Sequence, residues 1–359
     1  MIAPTPNSRL RQITDKVEAG ERLTFDEGVF LDEQVDVLTL GRLANIVRER
    51  KNGNLAFYNT NIHLNPTNVC VYRCTFCAFR ADLREARGYV MGDEQILARG
   101  QEAVDAGSTE MHIVGGLHHQ KDYDWYLNII RLLHDHHPSL HLKAWTPVEI
   151  NWFCHLTKRS VRDIIVELKD AGLGSLPGGG AEILVDRVRK QIAALKASTD
   201  EWLGVMRDAH RLGLRTSATM MFGHVETLDD RIEHLERVRG QQDRSGGFTA
   251  FIAWTFQAEN TKLKAPAAGA HEYLRMQALS RIYLDNIPNV QSSWVTQGLE
   301  IGQVALQYGA NDLGSIMIEE NVVSQAGTTF RMEVGDMKRL ISELGYEPRQ
   351  RDNWYRLVG

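Results

Sequence analysis

From Asn59 the chain alternates: Asn59, Asn61, His63 and Asn65 fall on one face, Thr60, Ile62 and Leu64 on the other. A period of two is the pattern of a strand, here with one polar face, and Pro66 stops it. Ahead of it the spacing is helical over 7–19, 24–30 and 37–51, and Thr24-Phe-Asp-Glu27 has capping-box spacing. After it, helices are predicted over 93–106, 123–137, 161–171, 202–212, 228–242, 273–286 and 301–308. Strands alternate with them over 110–114, 141–145, 173–176, 215–222, 248–256, 290–294 and 312–316. That makes about eight βα units, so the expected fold is α/β, a (β/α)8 TIM-type barrel. An N-terminal helical brace over 1–55, the barrel over 56–320 and a C-terminal helical extension over 321–359 complete the expected organisation. In the extension, 332–344 reads as an amphipathic helix, and 349–359 is expected to pack across the barrel wall.

Composition narrows the class without changing the fold. With 359 residues, 43% hydrophobic and 24% charged, the chain matches a globular protein. A net charge of −5 excludes nucleic acid as the main partner, because phosphate contacts need a basic surface. No apolar run approaches the ~18 residues of a membrane span, and no signal-peptide pattern is present, so a cytoplasmic location is expected. Four cysteines do not make a disulfide framework, which agrees with a reducing compartment.

Three of those cysteines carry the chemistry. Cys70-Val-Tyr-Arg-Cys74-Thr-Phe-Cys77 sets three thiols in a loop after the first polar-faced strand. Cysteine-rich loops hold iron–sulfur clusters. A [4Fe–4S] cube held by three sulfurs keeps one iron open for a ligand. Zinc wants four ligands, usually from paired motifs, and no second pair exists, so a zinc-stapled barrel would have to recruit a distant histidine. An electron carrier would need a fourth cysteine, and Cys154 lies among apolar neighbours. In a barrel the cysteine loop, Gly115-Gly116 and Pro177-Gly178-Gly179-Gly180 would share the C-terminal rim, where chemistry sits. On strand 141–145, His141, Lys143 and Trp145 share a face opposite Leu142 and Ala144. Lys143 should therefore point inward, where a buried cation needs an anion from Glu110, Glu149 or a substrate.

The CxxxCxxC pattern with Phe76 before its last cysteine resembles the radical S-adenosylmethionine (SAM) superfamily. The resemblance implies a [4Fe–4S] cluster on Cys70, Cys74 and Cys77, and SAM as co-substrate on the open iron. Electron transfer into the sulfonium then releases a 5′-deoxyadenosyl radical. It implies an electron donor such as flavodoxin or ferredoxin. Tyr72, Phe76, Gly115, Gly116, Ser175 and Glu182 are the cofactor-binding candidates; the glycine pair would meet the methionine amino group through its backbone. The superfamily's usual acid after that pair is replaced by Leu117-His118.

His63-Leu-Asn-Pro66, His112-Ile-Val-Gly-Gly-Leu-His118, Lys143-Ala-Trp-Thr146, Ser175-Leu-Pro-Gly-Gly-Gly-Ala-Glu182 and Ser293-Trp-Val-Thr-Gln-Gly298 look like the enzymes of the futalosine route to menaquinone. Within that family one activity adds the adenosyl radical to the enolpyruvyl double bond of 3-[(1-carboxyvinyl)oxy]benzoate. Another cyclises dehypoxanthinylfutalosine. The first-half motifs favour the former, whereas Met206 to Glu226 and Trp294 to Asn321, including Glu319, resemble the latter. A small aromatic carboxylate is thus the expected substrate, with His63, Asn65, Lys143, Thr146, His224, Trp254, Asn311 and Asp312 as candidate contacts. No residue is assigned as acid or base.

Overall fold

The computed structural model describes residues 6–318 and 320–358, so Glu319 lies outside the described residues. Ten strands form one sheet: β1 (Leu55–Asn59), β2 (Asn61–Leu64), β3 (Glu110–Ile113), β4 (His141–Ala144), β5 (Ser175–Leu176), β6 (Arg215–Phe222), β7 (Phe248–Thr255), β8 (Asn289–Gln291), β9 (Asp312–Ser315) and β10 (Glu347–Gln350). Their order is β10-β1-β9-β8-β7-β6-β5-β4-β3-β2, with every ladder parallel. The sheet returns to its start through a split first strand. Ile316 N–H donates to Asn59 O (3.2 Å), Ile318 N–H to Asn61 O (3.1 Å) and His63 N–H to Ile318 O (2.8 Å). β1 and β2 are thus two halves of one barrel strand, broken at Thr60, and the (β/α)8 expectation holds.

The alternation that predicts the strands also sets their faces. In β4, Leu142 and Ala144 are buried against the helices, while Lys143 is half-buried on the inner side. The alternation fails at Trp145, whose φ of +58° turns its indole outward among Tyr126 and Phe153. Trp145 therefore does not share the inward face with Lys143.

Three features depart from the sequence reading. Pro147–Thr157 is a helix where the pattern assigns none; Thr146 caps it, Pro147 opens it and Glu149 closes a capping box. Asp186–Ile192 is a further short helix. Finally, 349–358 does not pack across the barrel wall but closes the barrel's lower end. β10 pairs with β1, and Arg351 behind it reaches into the barrel to Asp312 (2.7 Å) while Trp354 packs edge-on against His141 (4.3 Å). The tail lies beneath the strands' N-terminal ends, opposite the cysteine rim. At that same end Arg48, fully buried in helix Val37–Asn52, donates to Gly53 O (2.6 Å) and Leu55 O (2.7 Å). No helix among the described residues is long and apolar enough to cross a membrane.

Candidate active site

A cavity of about 400 Å³ opens at the C-terminal ends of the strands and descends into the barrel. Its upper wall is the cysteine loop, which follows β2 as the strand pattern requires. The loop is seated by backbone: Cys70 N–H donates to Ala81 O (3.2 Å), Val71 N–H to Leu117 O (2.8 Å) and Thr75 N–H to Ile192 O (2.9 Å). Cys70, Cys74 and Cys77 line the cavity, and none is in a disulfide. Burial pushes the Cys74 thiol up to about 12 and the Cys70 thiol up as well. Burial thus favours the neutral thiol at Cys70 and Cys74, and a bound metal is what would make them thiolates. No three His, Cys, Asp or Glu side chains among the described residues converge on a single-ion position. Three soft donors around a common space fit a cluster of the iron–sulfur type.

Glu182 and Lys196 stand on the rim beside the cysteine loop. Glu182 has φ +42°, a strained value for a side chain with a Cβ, and faces the cavity from the end of the glycine stretch. Its Oε1 lies 2.5 Å from the Lys196 ammonium, which also stands 4.9 Å above the Phe76 ring. Burial opposes both charges, but each partner stabilises the other, so Glu182 sits below and Lys196 above its ordinary value. Cys74 adds to the lysine's shift, which puts this cation beside the cysteine loop. Lys196 has no sequence signal: it lies in an irregular segment and belongs to no motif.

The floor is polar. His63 and His112 stack at 4.8 Å between centroids, and His63 Nδ1 is buried without a partner. Burial lowers both imidazoles, so each is neutral at pH 7. Glu110 accepts from Asn61 (3.2 Å) through one oxygen, and its other oxygen has no partner. Burial works against this carboxylate, yet Lys143 and Arg351 hold it at about 2. Lys143 makes no ion pair or hydrogen bond with a described residue; burial lowers its ammonium while Glu110 acts through space to restore it. Trp254 and Phe256 supply aromatic wall at the end of β7.

The structure brings together Cys70, Cys74, Cys77, Tyr72, Phe76, Gly115, Glu182, His63, Lys143, Thr146 and Trp254 around this one space. The other candidates lie elsewhere. Ser175 is fully buried and hydrogen-bonded to His141 Nε2 (2.7 Å), because β5 is short and its first residue falls below the cavity. Asn65 donates to Val114 O (2.8 Å) outside the lining. His224 bonds back to Met221 O (3.0 Å) and pairs with Glu226 (3.1 Å), both side chains wholly inaccessible. Asn311 is buried among Arg281, Asn289 and Val290. Asp312 holds Arg351 and the Tyr355 hydroxyl (2.6 Å), locking the tail rather than meeting a ligand. Gly116 packs on the cysteine loop, its N–H spent on Thr67 O (2.7 Å). Glu149 and Arg351 line the cavity without having been singled out as ligand contacts.

Comparison with known proteins agrees with this arrangement. Residues 64–238 match the radical SAM superfamily and residues 245–358 the CofH/MqnC C-terminal region. An aminodeoxyfutalosine synthase of Thermus thermophilus is 39% identical over 98% of this chain and 96% of its own. A cyclic dehypoxanthine futalosine synthase of Halalkalibacterium halodurans is 39% identical over 96% of this chain and 94% of its own. The fold resembles the FeFe-hydrogenase maturase HydG of Carboxydothermus hydrogenoformans at a TM-score of 0.74, with 16% identity over 98% of this chain and 81% of that one. The cysteine-lined cavity fits the [4Fe–4S] cluster and SAM that these enzymes use. The chain belongs to the radical SAM superfamily, in the group that contains the aminodeoxyfutalosine and cyclic dehypoxanthine futalosine synthases.

Proposed function

We propose that the protein is an aminofutalosine synthase of menaquinone biosynthesis. It would join the 5′-deoxyadenosyl group of SAM to the alkene of 3-[(1-carboxyvinyl)oxy]benzoate, with rearrangement and loss of CO2, to give 6-amino-6-deoxyfutalosine. The observation that carries this reading is Lys143: an ammonium inside the barrel, without an ion-pair partner, under the cysteine rim. A substrate with two carboxylates supplies the missing anion, and the cluster with SAM supplies the radical when both are bound.

The residues' own work is binding and exclusion. Lys143 and His63 anchor a carboxylate at the floor, Trp254 flanks the aromatic ring, and Glu182 accepts from ribose hydroxyls at the rim. Holding both reactants in one enclosed space directs the radical to a single carbon. A small one-electron donor such as flavodoxin or ferredoxin would reduce the cluster, consistent with a cytoplasmic enzyme.

Anaerobic incubation of the reduced, cluster-loaded protein with SAM and the enol ether should yield an adenosine-bearing adduct and CO2. Formation of free 5′-deoxyadenosine together with a cyclised product from dehypoxanthinylfutalosine, and no adduct, would assign the cyclase activity instead.

A further inference from the structure

Arg80 is a buried cation with no part in substrate binding. It follows Cys77 by three residues, is 9% exposed, and lines the cavity together with Cys70 and Cys77. Arg87 pins the backbone around it, donating to Arg80 O and to Ala78 O (2.9 Å). The Arg80 guanidinium reaches outward to Asp82 through one Nη (2.6 Å), while its Nε–H is buried and has no acceptor among the described residues. A buried donor left unmade carries an uncompensated cost, which an acceptor bound in the cavity would relieve.

The charge of Arg80 is also less neutralised than its neighbours'. Glu182 and Lys196 cancel each other at 2.5 Å. Asp82, by contrast, is 46% exposed and is shared between Arg80 (2.6 Å) and Arg73 (2.9 Å), so one carboxylate serves two guanidiniums. Burial opposes the Arg80 charge, and Asp82, Cys70 and Cys77 restore it. Across 70–90 the chain carries four arginines against two acids, although the whole protein stands at −5. Reduction adds negative charge to a cluster already anionic with its three thiolates. A neighbouring cation, or an N–H donated to a sulfur, stabilises the reduced form and raises the potential. The effect is strong for a charge shielded from water and weak for one on the surface, where salt screens it.

We propose that Arg80 sets the cluster's reduction potential, holding a buried positive charge and an unspent Nε–H beside Cys70 and Cys77. It acts on the ease with which one electron enters from the donor and not on the aromatic substrate. The inference rests on the family's cluster alone, so its test leaves out SAM and the aromatic substrate alike.

Potentials are measured by anaerobic redox titration of cluster-loaded protein, followed by the paramagnetic resonance of the reduced cluster. Iron per chain and melting temperature are recorded alongside. Arg80→Gln should lower the ratio of reduced to oxidised cluster ~10-fold at a fixed poise, a fall of about 59 mV for a one-electron couple. Arg80→Lys keeps the charge and should stay within about threefold of wild type. Arg84→Gln removes an exposed charge from the same loop and should move the ratio by less than about twofold. If Arg80→Gln does not retain iron, combining it with Asp82→Asn replaces the ion pair by a neutral one. The potential of that double variant should still fall, because the buried charge outweighs the exposed one. The proposal is overturned if loss of the Arg80 charge leaves the potential unchanged or raises it, or if Arg80→Lys or Arg84→Gln falls as far as Arg80→Gln. It is overturned equally if neither charge-neutral variant holds the cluster, which would make Arg80 a structural anchor of the loop. Failure of the enol-ether assay alone would leave this result unaffected.

Discussion

Lys143 is held between two opposed influences: burial presses its ammonium toward neutrality, and Glu110 presses back through space. Such a cation is stable only while an anion is near, so a substrate carboxylate should gain strongly from it. Lys143→Met should lower kcat/KM for the aromatic substrate by ~10- to 100-fold through a raised KM, with SAM affinity unchanged. Steady-state kinetics over a range of substrate concentration read this directly; an unchanged KM would remove Lys143 from the substrate site. The lysine is legible from the sequence because its strand alternates cleanly up to Ala144. Glu149 is legible in principle, since Thr146-Pro147-Val148-Glu149 is a helix-start signature. With no element assigned after Trp145, the helix escapes, and Glu149 enters only as a candidate partner for Lys143. Lys196 is illegible at this scale, because only the folded path of the chain brings it to Glu182.

At the scale of elements, the cysteine loop is a guest on the strand beside it. A Cβ at Gly116 would lie 2.2 Å from Val69 O, a backbone atom immediately before Cys70 that cannot swing away. Gly116→Ala should therefore displace the loop rather than merely crowd it, costing roughly 1–3 kcal/mol in overpacking and reducing cluster retention. Iron per chain and the visible absorbance after anaerobic reconstitution measure the effect; full iron content in the alanine variant would show that the loop tolerates the shift. Elements with a clean period are legible: the three N-terminal helices and most barrel strands appear where alternation or helical spacing places them. The elements that escape are those whose position is set from outside. β5 contributes only two residues to its ladders, and β10 is a strand because β1 has a free edge at the split, not because Glu347–Gln350 alternates. Asn311 and Asp312 mislead for the same reason. Their turn-like polarity suggests ligand contact, but Arg281 and Arg351, distant in sequence, consume it.

Across the whole molecule, burial of neutral imidazoles gives the fold a defined acid limit. His141 and His210 are lowered to about 4 and His234 to about 3, chiefly by burial, and His63 and His112 are lowered for the same reason. Their surroundings suit the neutral ring: His234 Nδ1 accepts from Leu184 N–H (3.0 Å), and His210 is bracketed by Ser245 and Thr216 hydroxyls at 2.6 and 2.7 Å. Each folded value lies below the unfolded histidine value of about 6.5, so the unfolded chain binds more protons as pH falls. Stability from these groups is complete above that value and is lost progressively below it, down to the folded values. Glu149 and Asp32, raised by burial, act in the opposite sense, but they are outnumbered and begin from ordinary carboxylate values well below neutrality. Between pH 7.5 and 5.5 the loss should approach ~1.4 kcal/mol for each of His141, His210 and His234, a large share of the ~5–15 kcal/mol that holds a domain together. Urea midpoints of cluster-loaded protein should fall across that window, and replacing His234 with an apolar ring should flatten part of the fall. A midpoint independent of pH there would mean that these histidines are protonated in the folded protein, or exposed, and that the polar floor of the barrel is open to water.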